Sequence, residues 1–187
     1  MKIFLIDQKH KLPEHLDRLK SVSIMSYEQA KLKEQVSTIE LAQNFKKVNR
    51  KILFDYRIFP QRIMTFLTQW RYENREIRQG DTIVQQVYIP PLIDFSQKII
   101  FGVRIKEVID ETNRFGFSYE TLEGHVERGI STFTMEQGGD RTIFKIHTFS
   151  TPGNILTKLI GPVFSRPYQS YCTKAALRNF RTNVESE

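Results

Sequence analysis

An α+β fold, in which a curved antiparallel sheet of about six strands wraps around a long C-terminal helix, is what this sequence predicts. Three observations lead there. Five strand-like segments follow one another between Thr82 and Phe149, two of their connections being short hairpin-like turns, and consecutive strands with short turns pair antiparallel. An apolar stripe at helical spacing then runs from Ile155 to Phe180. A sheet of that size has an apolar face to cover, and the terminal helix is its natural cover.

The strands are Thr82 to Ile89, Lys98 to Val108, Phe115 to Leu122, Gly129 to Glu136 and Thr142 to Phe149. In the second, Ile99, Phe101, Val103 and Ile105 alternate with polar neighbours, the period of a half-buried strand. Asp110–Arg114 and Gln137–Arg141 have hairpin-turn composition. Upstream, Ile52–Phe59 reads as a sixth strand ended by Pro60. Residues 61–77 read as a helix through Ile63, Phe66, Leu67 and Trp70, closed by Gly80.

The first residues read as an extension, helical or irregular over 1–44, before a domain over 45–187. Pro13 opens one short helix, and Ser26 with Gln29 forms a capping box for another. At the far end, Gly161-Pro162 and Pro167 interrupt the stripe. The expectation is a short helical segment, a kink, then a helix from about Arg166 to Thr182.

With 187 residues, 40% hydrophobic and 26% charged, the composition fits one soluble globular domain. Fourteen phenylalanines and seven tyrosines suit sheets and ring-lined cavities. The single cysteine, Cys172, excludes an internal disulfide, and its place on the apolar stripe suits a core thiol better than a nucleophile. No apolar run approaches membrane-spanning length, and the first residues lack a signal-peptide core, so the expected location is cytoplasmic.

The net charge of +7 is segregated: residues 81–140 hold ten acids against five bases, and residues 141–184 hold seven bases and no acid. Such a surface can attract nucleic acid or anionic lipid. No nucleic-acid motif accompanies it, and a solvated basic surface is the simpler reading.

Titratable groups, tight turns and aromatic strands converge in Gly116–Gly129. His125 and Glu127 sit in a turn between Gly124 and Gly129. A carboxylate beside the imidazole would raise its pKa and allow proton relay. A plain hairpin with its polar side chains in water competes with that reading. Phe117, Tyr119 and Thr121 share one strand face. With Phe133 and Tyr168 they are the expected lining of a cavity between sheet and helix, with His125 and Glu127 at its rim. His147 falls on the opposite face from Phe144 and Ile146 and is expected outward. Too few histidines and cysteines cluster for a structural metal, and no dinucleotide or phosphate loop is present, so no metal and no cofactor is expected.

The string Gly116-Phe-Ser-Tyr-Glu-Thr-Leu-Glu-Gly-His125, then Glu127-x-Gly129, Phe133, Phe149-Ser150-x-Pro152, Gly161-Pro162 and Gln169 resembles the family called domain of unknown function nineteen-ninety, over roughly residues 45–180. Glu120, Val126 and Ile130 depart from its pattern, which commonly has glycine, proline and glutamate there. If that glutamate is catalytic in relatives, activity here is in doubt. The family is similar in turn to START-like, polyketide-cyclase-like helix-grip proteins, whose members bind lipids, sterols and polyketides. The resemblance implies a helix-grip fold and a small, largely apolar ligand as partner. The alternatives are a cyclase or hydrolase using His125 as acid–base oriented by Glu127, and a basic interaction module.

Overall fold

The computed structural model describes residues 2–91, 96–152 and 166–186, with the side chains of 152 and 166–169 outside the description. Eight strands form one antiparallel sheet: β1 (Lys2–Phe4), β2 (Lys33–Leu41), β3 (Met64–Thr68), β4 (Thr82–Ile89), β5 (Gln97–Glu111), β6 (Arg114–Thr121), β7 (Glu127–Gly138) and β8 (Arg141–Pro152). Their order is β2-β8-β7-β6-β5-β4-β3, and β1 pairs with β5 beyond the reach of β6. Four described α-helices accompany them: α1 (Leu12–Lys20), α2 (Arg50–Phe54), α3 (Gln69–Tyr72) and α4 (Arg166–Glu185).

The five meander strands and the terminal helix lie where the sequence places them. The short helical segment expected after Pro152 falls outside the described residues.

Three elements differ from expectation, each for a physical reason. Ile52–Phe59 is not a strand. The Asn49 side chain accepts the Lys51 N–H at 3.0 Å and caps α2, and Tyr56 then turns the chain at φ 61°. Residues 61–77 are not one helix but β3 followed by the single turn of α3. Phe66 packs inward against Tyr56 and Leu67 packs outward with the α1 cluster. A strand covered on both faces loses its period of two. Ser26 opens no α-helix: a 3₁₀ turn at Gln29–Lys31 leads into β2. Residues 1–44, read as helical or irregular, thus supply two strands to the sheet, which raises the count from about six to eight.

The main core lies between the inner face of the sheet and α4. Ile83, Val87, Phe101, Val103, Phe117, Phe133 and Phe144 meet Ala175, Ala176, Phe180 and Val184 there. Two small alanines let the helix approach closely, and Phe180 stacks on Phe144 with centroids 3.8 Å apart. Asn179 and Asn183 donate to the carbonyls of Ile58 and Arg57, and Gln43 donates to that of Val184, tying α4 to neighbouring loops.

A second, smaller core covers the outer face. Leu12, Leu16 and Leu19 of α1 pack on Val84, Ile100 and Leu122. Gly102 lies beneath α1, and a Cβ there would sit 3.0 Å from the Leu19 and Leu122 methyls. The Arg104 guanidinium donates to the Leu19 and Lys20 carbonyls at 2.9 and 3.0 Å, placing a cation at the helix C-terminus.

Curvature is built in at defined points. A bulge displaces the β5–β6 register between Ile105 and Glu107. Gly116 and Gly129 adopt φ of 157° and 149° inside their strands, where a Cβ would lie 2.0 Å from the Phe133 and Phe149 carbonyl oxygens. Glycine kinks and bulges are how a sheet bends around a helix.

Candidate functional site

A cavity of about 160 Å³ lies between the sheet and α4. Its lining is mixed: Phe59, Ile63, Met64, Val87, Phe101, Val126, Phe133 and Ile146 supply apolar surface, and Gln35, Ser37, Gln85, Tyr119, Ser131, Thr148 and Ser150 set polar groups among them. Cys172 and Thr173 face it from α4.

Neutral polar groups are strung along this lining, with Tyr56 behind it. The Gln85 amide donates to the Tyr56 hydroxyl at 2.7 Å. The Tyr119 phenol lies close to the Tyr56 phenol and the Ser131 hydroxyl. The Ser131 and Thr148 hydroxyls lie 3.2 Å apart. Burial pushes the Tyr56 phenol well above its ordinary pKa, and burial followed by the nearby Glu127 charge raises that of Tyr119. Both remain protonated donors.

Tyr56 is held in a left-handed backbone conformation that costs on the order of 1–3 kcal/mol for a non-glycine residue. The rings of Phe59, Phe66, Phe117, Tyr119 and Phe133 surround it at 5.0–6.3 Å.

Of the residues expected from sequence, Tyr119, His125, Glu127 and Phe133 line the cavity. Phe117 is fully buried behind it, stacked on Phe133 at 5.5 Å. Thr121 is instead structural, since its hydroxyl accepts the Gly129 N–H at 3.1 Å and closes the β6–β7 hairpin. The Tyr168 side chain is outside the described residues. Gln35, Ser37, Tyr56, Gln85 and Ser131 were missed. One signal points to Gln85: a glutamine on the row that it shares with Ile83, Val87 and Ile89. His147 points outward as expected and meets Glu34 at 2.7 Å. Among the described residues no cluster suits a metal ion.

The expected imidazole–carboxylate pair does not form. His125 Nδ1 sits 2.9 Å from both the backbone N and O of Glu127, so the turn holds the ring through main chain. The ring packs on Phe101 with centroids 4.1 Å apart. Burial drives its pKa down to about 3, the reverse of what a neighbouring carboxylate would do. Near neutral pH His125 is therefore an uncharged polar group. Nε2 has no hydrogen-bond partner among the described residues.

A pH dependence follows. The unfolded imidazole binds its proton near pH 6.5, and the folded one only near 3. The unfolded state thus holds the extra proton between these values, and stability falls as pH drops through that window. The slope is at most about 1.4 kcal/mol per pH unit, less where water reaches the ring through the cavity. Buried His15 is shifted in the same direction, by burial and then the Arg18 charge. Urea unfolding at pH 6.5 and 4.5 should show the loss in wild type and a smaller one in His125→Gln. Equal losses in both proteins exclude His125 as a source.

The family profile of Domain of unknown function (DUF1990) matches residues 25–179. No curated protein matches this sequence. Solved structures share the fold at low identity. A START superfamily protein from Mycobacterium smegmatis has a TM-score of 0.54 at 15% identity, covering 82% of this chain and 97% of its own. The ginseng major latex-like protein 151 from Panax ginseng has 0.54 at 10%, covering 81% and 97%. A protein from Arthrobacter aurescens has 0.55 at 12%, covering 89% and 92%. The architecture is thus the START-like helix-grip fold, and with most of its length matched the chain belongs to the DUF1990 family.

Proposed function

We propose that the protein binds and carries a small, largely apolar molecule bearing an uncharged polar group. The observation that carries this reading is the mixed cavity: aliphatic and aromatic side chains with hydroxyls and amides set among them, and Tyr119 kept protonated. Mostly apolar walls with few placed polar groups are the general form of a small-molecule site. A volume near 160 Å³ is close to the ~150 Å³ of an engineered apolar cavity that admits benzene. That favours a compact ligand, or one that extends past the described lining. Acid–base chemistry at His125 is the weaker reading, because the ring is held neutral by burial and bound to backbone.

Native mass spectrometry of purified protein, with solvent extraction of whatever is bound, tests the proposal. A stoichiometric apolar molecule, or saturable binding of an environment-sensitive apolar dye, is the expected result. Val87→Phe places a ring in the cavity and should weaken dye binding tenfold or more, at a stability cost of about 1–3 kcal/mol. An empty protein that binds no dye, or a Val87→Phe variant that binds it undiminished, overturns the reading.

A further inference from the structure

A groove on the solvent side of α4 has charge that the cavity does not use. Arg62 and Pro60 line it from the loop before β3, and Tyr171, Lys174 and Arg178 line it from the helix. Positions 171, 174 and 178 lie on one helical face. Arg62, Lys174 and Arg178 form no ion pair among the described residues. Elsewhere, Arg50, Arg75, Lys106 and Arg141 each meet a carboxylate within 3.0 Å. Arg181 lies a further turn along the same stripe, and residues 141–184 contain no acid to neutralise it. Tyr171, 41% exposed, stands among these cations.

The groove and the cavity are lined by residues that neighbour one another in sequence. Phe59 lines the cavity and Pro60 the groove, as do Cys172 and Thr173 on one side and Tyr171 and Lys174 on the other.

We infer that this face docks on an anionic lipid surface. The charge complements anionic headgroups, and an exposed aromatic beside basic residues suits the interfacial layer of a bilayer. Nucleic acid is less well matched, since the cations form one short stripe without the stacked aromatics of a single-strand track. If the carrier reading holds, on which this link alone rests, docking brings the cavity beside the phase from which an apolar ligand leaves.

Co-sedimentation of the full chain with phosphatidylcholine vesicles, with and without phosphatidylserine, tests the inference. Binding should require phosphatidylserine and vanish at high salt. The combined variant Arg62→Gln, Lys174→Gln, Arg178→Gln should bind about a hundredfold more weakly. Should that variant fail to fold, Lys174→Glu alone should still lower binding roughly tenfold or more. Equal binding to both vesicles, an unaffected folded variant, or a preference for duplex DNA or RNA over the anionic vesicles overturns docking. Dye binding to the cavity is measured on the same variants. In the variants vesicle binding should fall while dye binding stays; wild type that binds phosphatidylserine vesicles but no dye condemns the carrier reading alone, and wild type that binds dye but not those vesicles condemns docking alone.

Discussion

Gly129→Ala should destabilise the protein by about 3 kcal/mol or more, or leave it insoluble. A methyl at this position would lie 2.0 Å from the Phe149 carbonyl oxygen and 2.9 Å from the Ser150 Cα. Both obstacles are backbone, so no side-chain rotation relieves the clash. The strand would have to leave φ 149°, which moves the Gly129–Ser150 pair of the β7–β8 ladder. It would also disturb the N–H that Thr121 accepts and with it the turn carrying His125. The effect therefore reaches the site as well as the sheet. Urea denaturation reads it directly, and a variant within about 1 kcal/mol of wild type would show that the kink is dispensable.

Phe180→Ala should cost about 3–5 kcal/mol, the usual range for a fully buried phenylalanine. The ring has no exposed surface and stacks on Phe144 with an interplanar angle of 21°. It is the largest described side chain that α4 sends into the core. The cavity is lined by Cys172 and Thr173, two turns earlier. Molecules that remain folded should accordingly keep binding the dye. Phe180→Leu, which retains most of the apolar volume, should recover much of the lost stability. A small loss for alanine would mean that α4 is held chiefly by its asparagine contacts to the 57–58 loop.

The meander and the terminal helix were legible because the β5–β6 and β7–β8 connections are short polar turns and the strands from β4 to β8 each hold an apolar stretch at a period of two. Residues 33–41 were not. Their inward row is Gln35, Ser37, Ile39 and Leu41, polar at the cavity end and apolar at the core end. Such a row reads as neither a buried strand nor a surface one. Residues 64–68 failed in the opposite way, with apolar side chains on both faces because α1 covers the outer one.

The site divides similarly. Tyr119, His125, Glu127 and Phe133 were accessible from alternation and turn chemistry. Tyr56 was hidden because its role depends on a backbone conformation that a tyrosine seldom takes. The relation of His125 to Glu127 was misjudged because spacing reveals proximity and not which atoms meet. Here the main chain reaches the ring before the carboxylate does.

Strand β2 pairs with β8 from Lys33 opposite Ser150 to Leu41 opposite Thr142. In the order of synthesis, the segment that closes one border of the sheet is made early and its template is made late. Until β8 has left the ribosome, residues 33–41 have no native partner, and β8 then waits with an open border for a segment more than a hundred residues behind it. Such distant pairings are slow to form. The charges of Lys33, Glu34 and Glu40 along β2 oppose wrong pairing during that wait. The nascent chain is most exposed to aggregation in the interval between completion of β8 and arrival of β2.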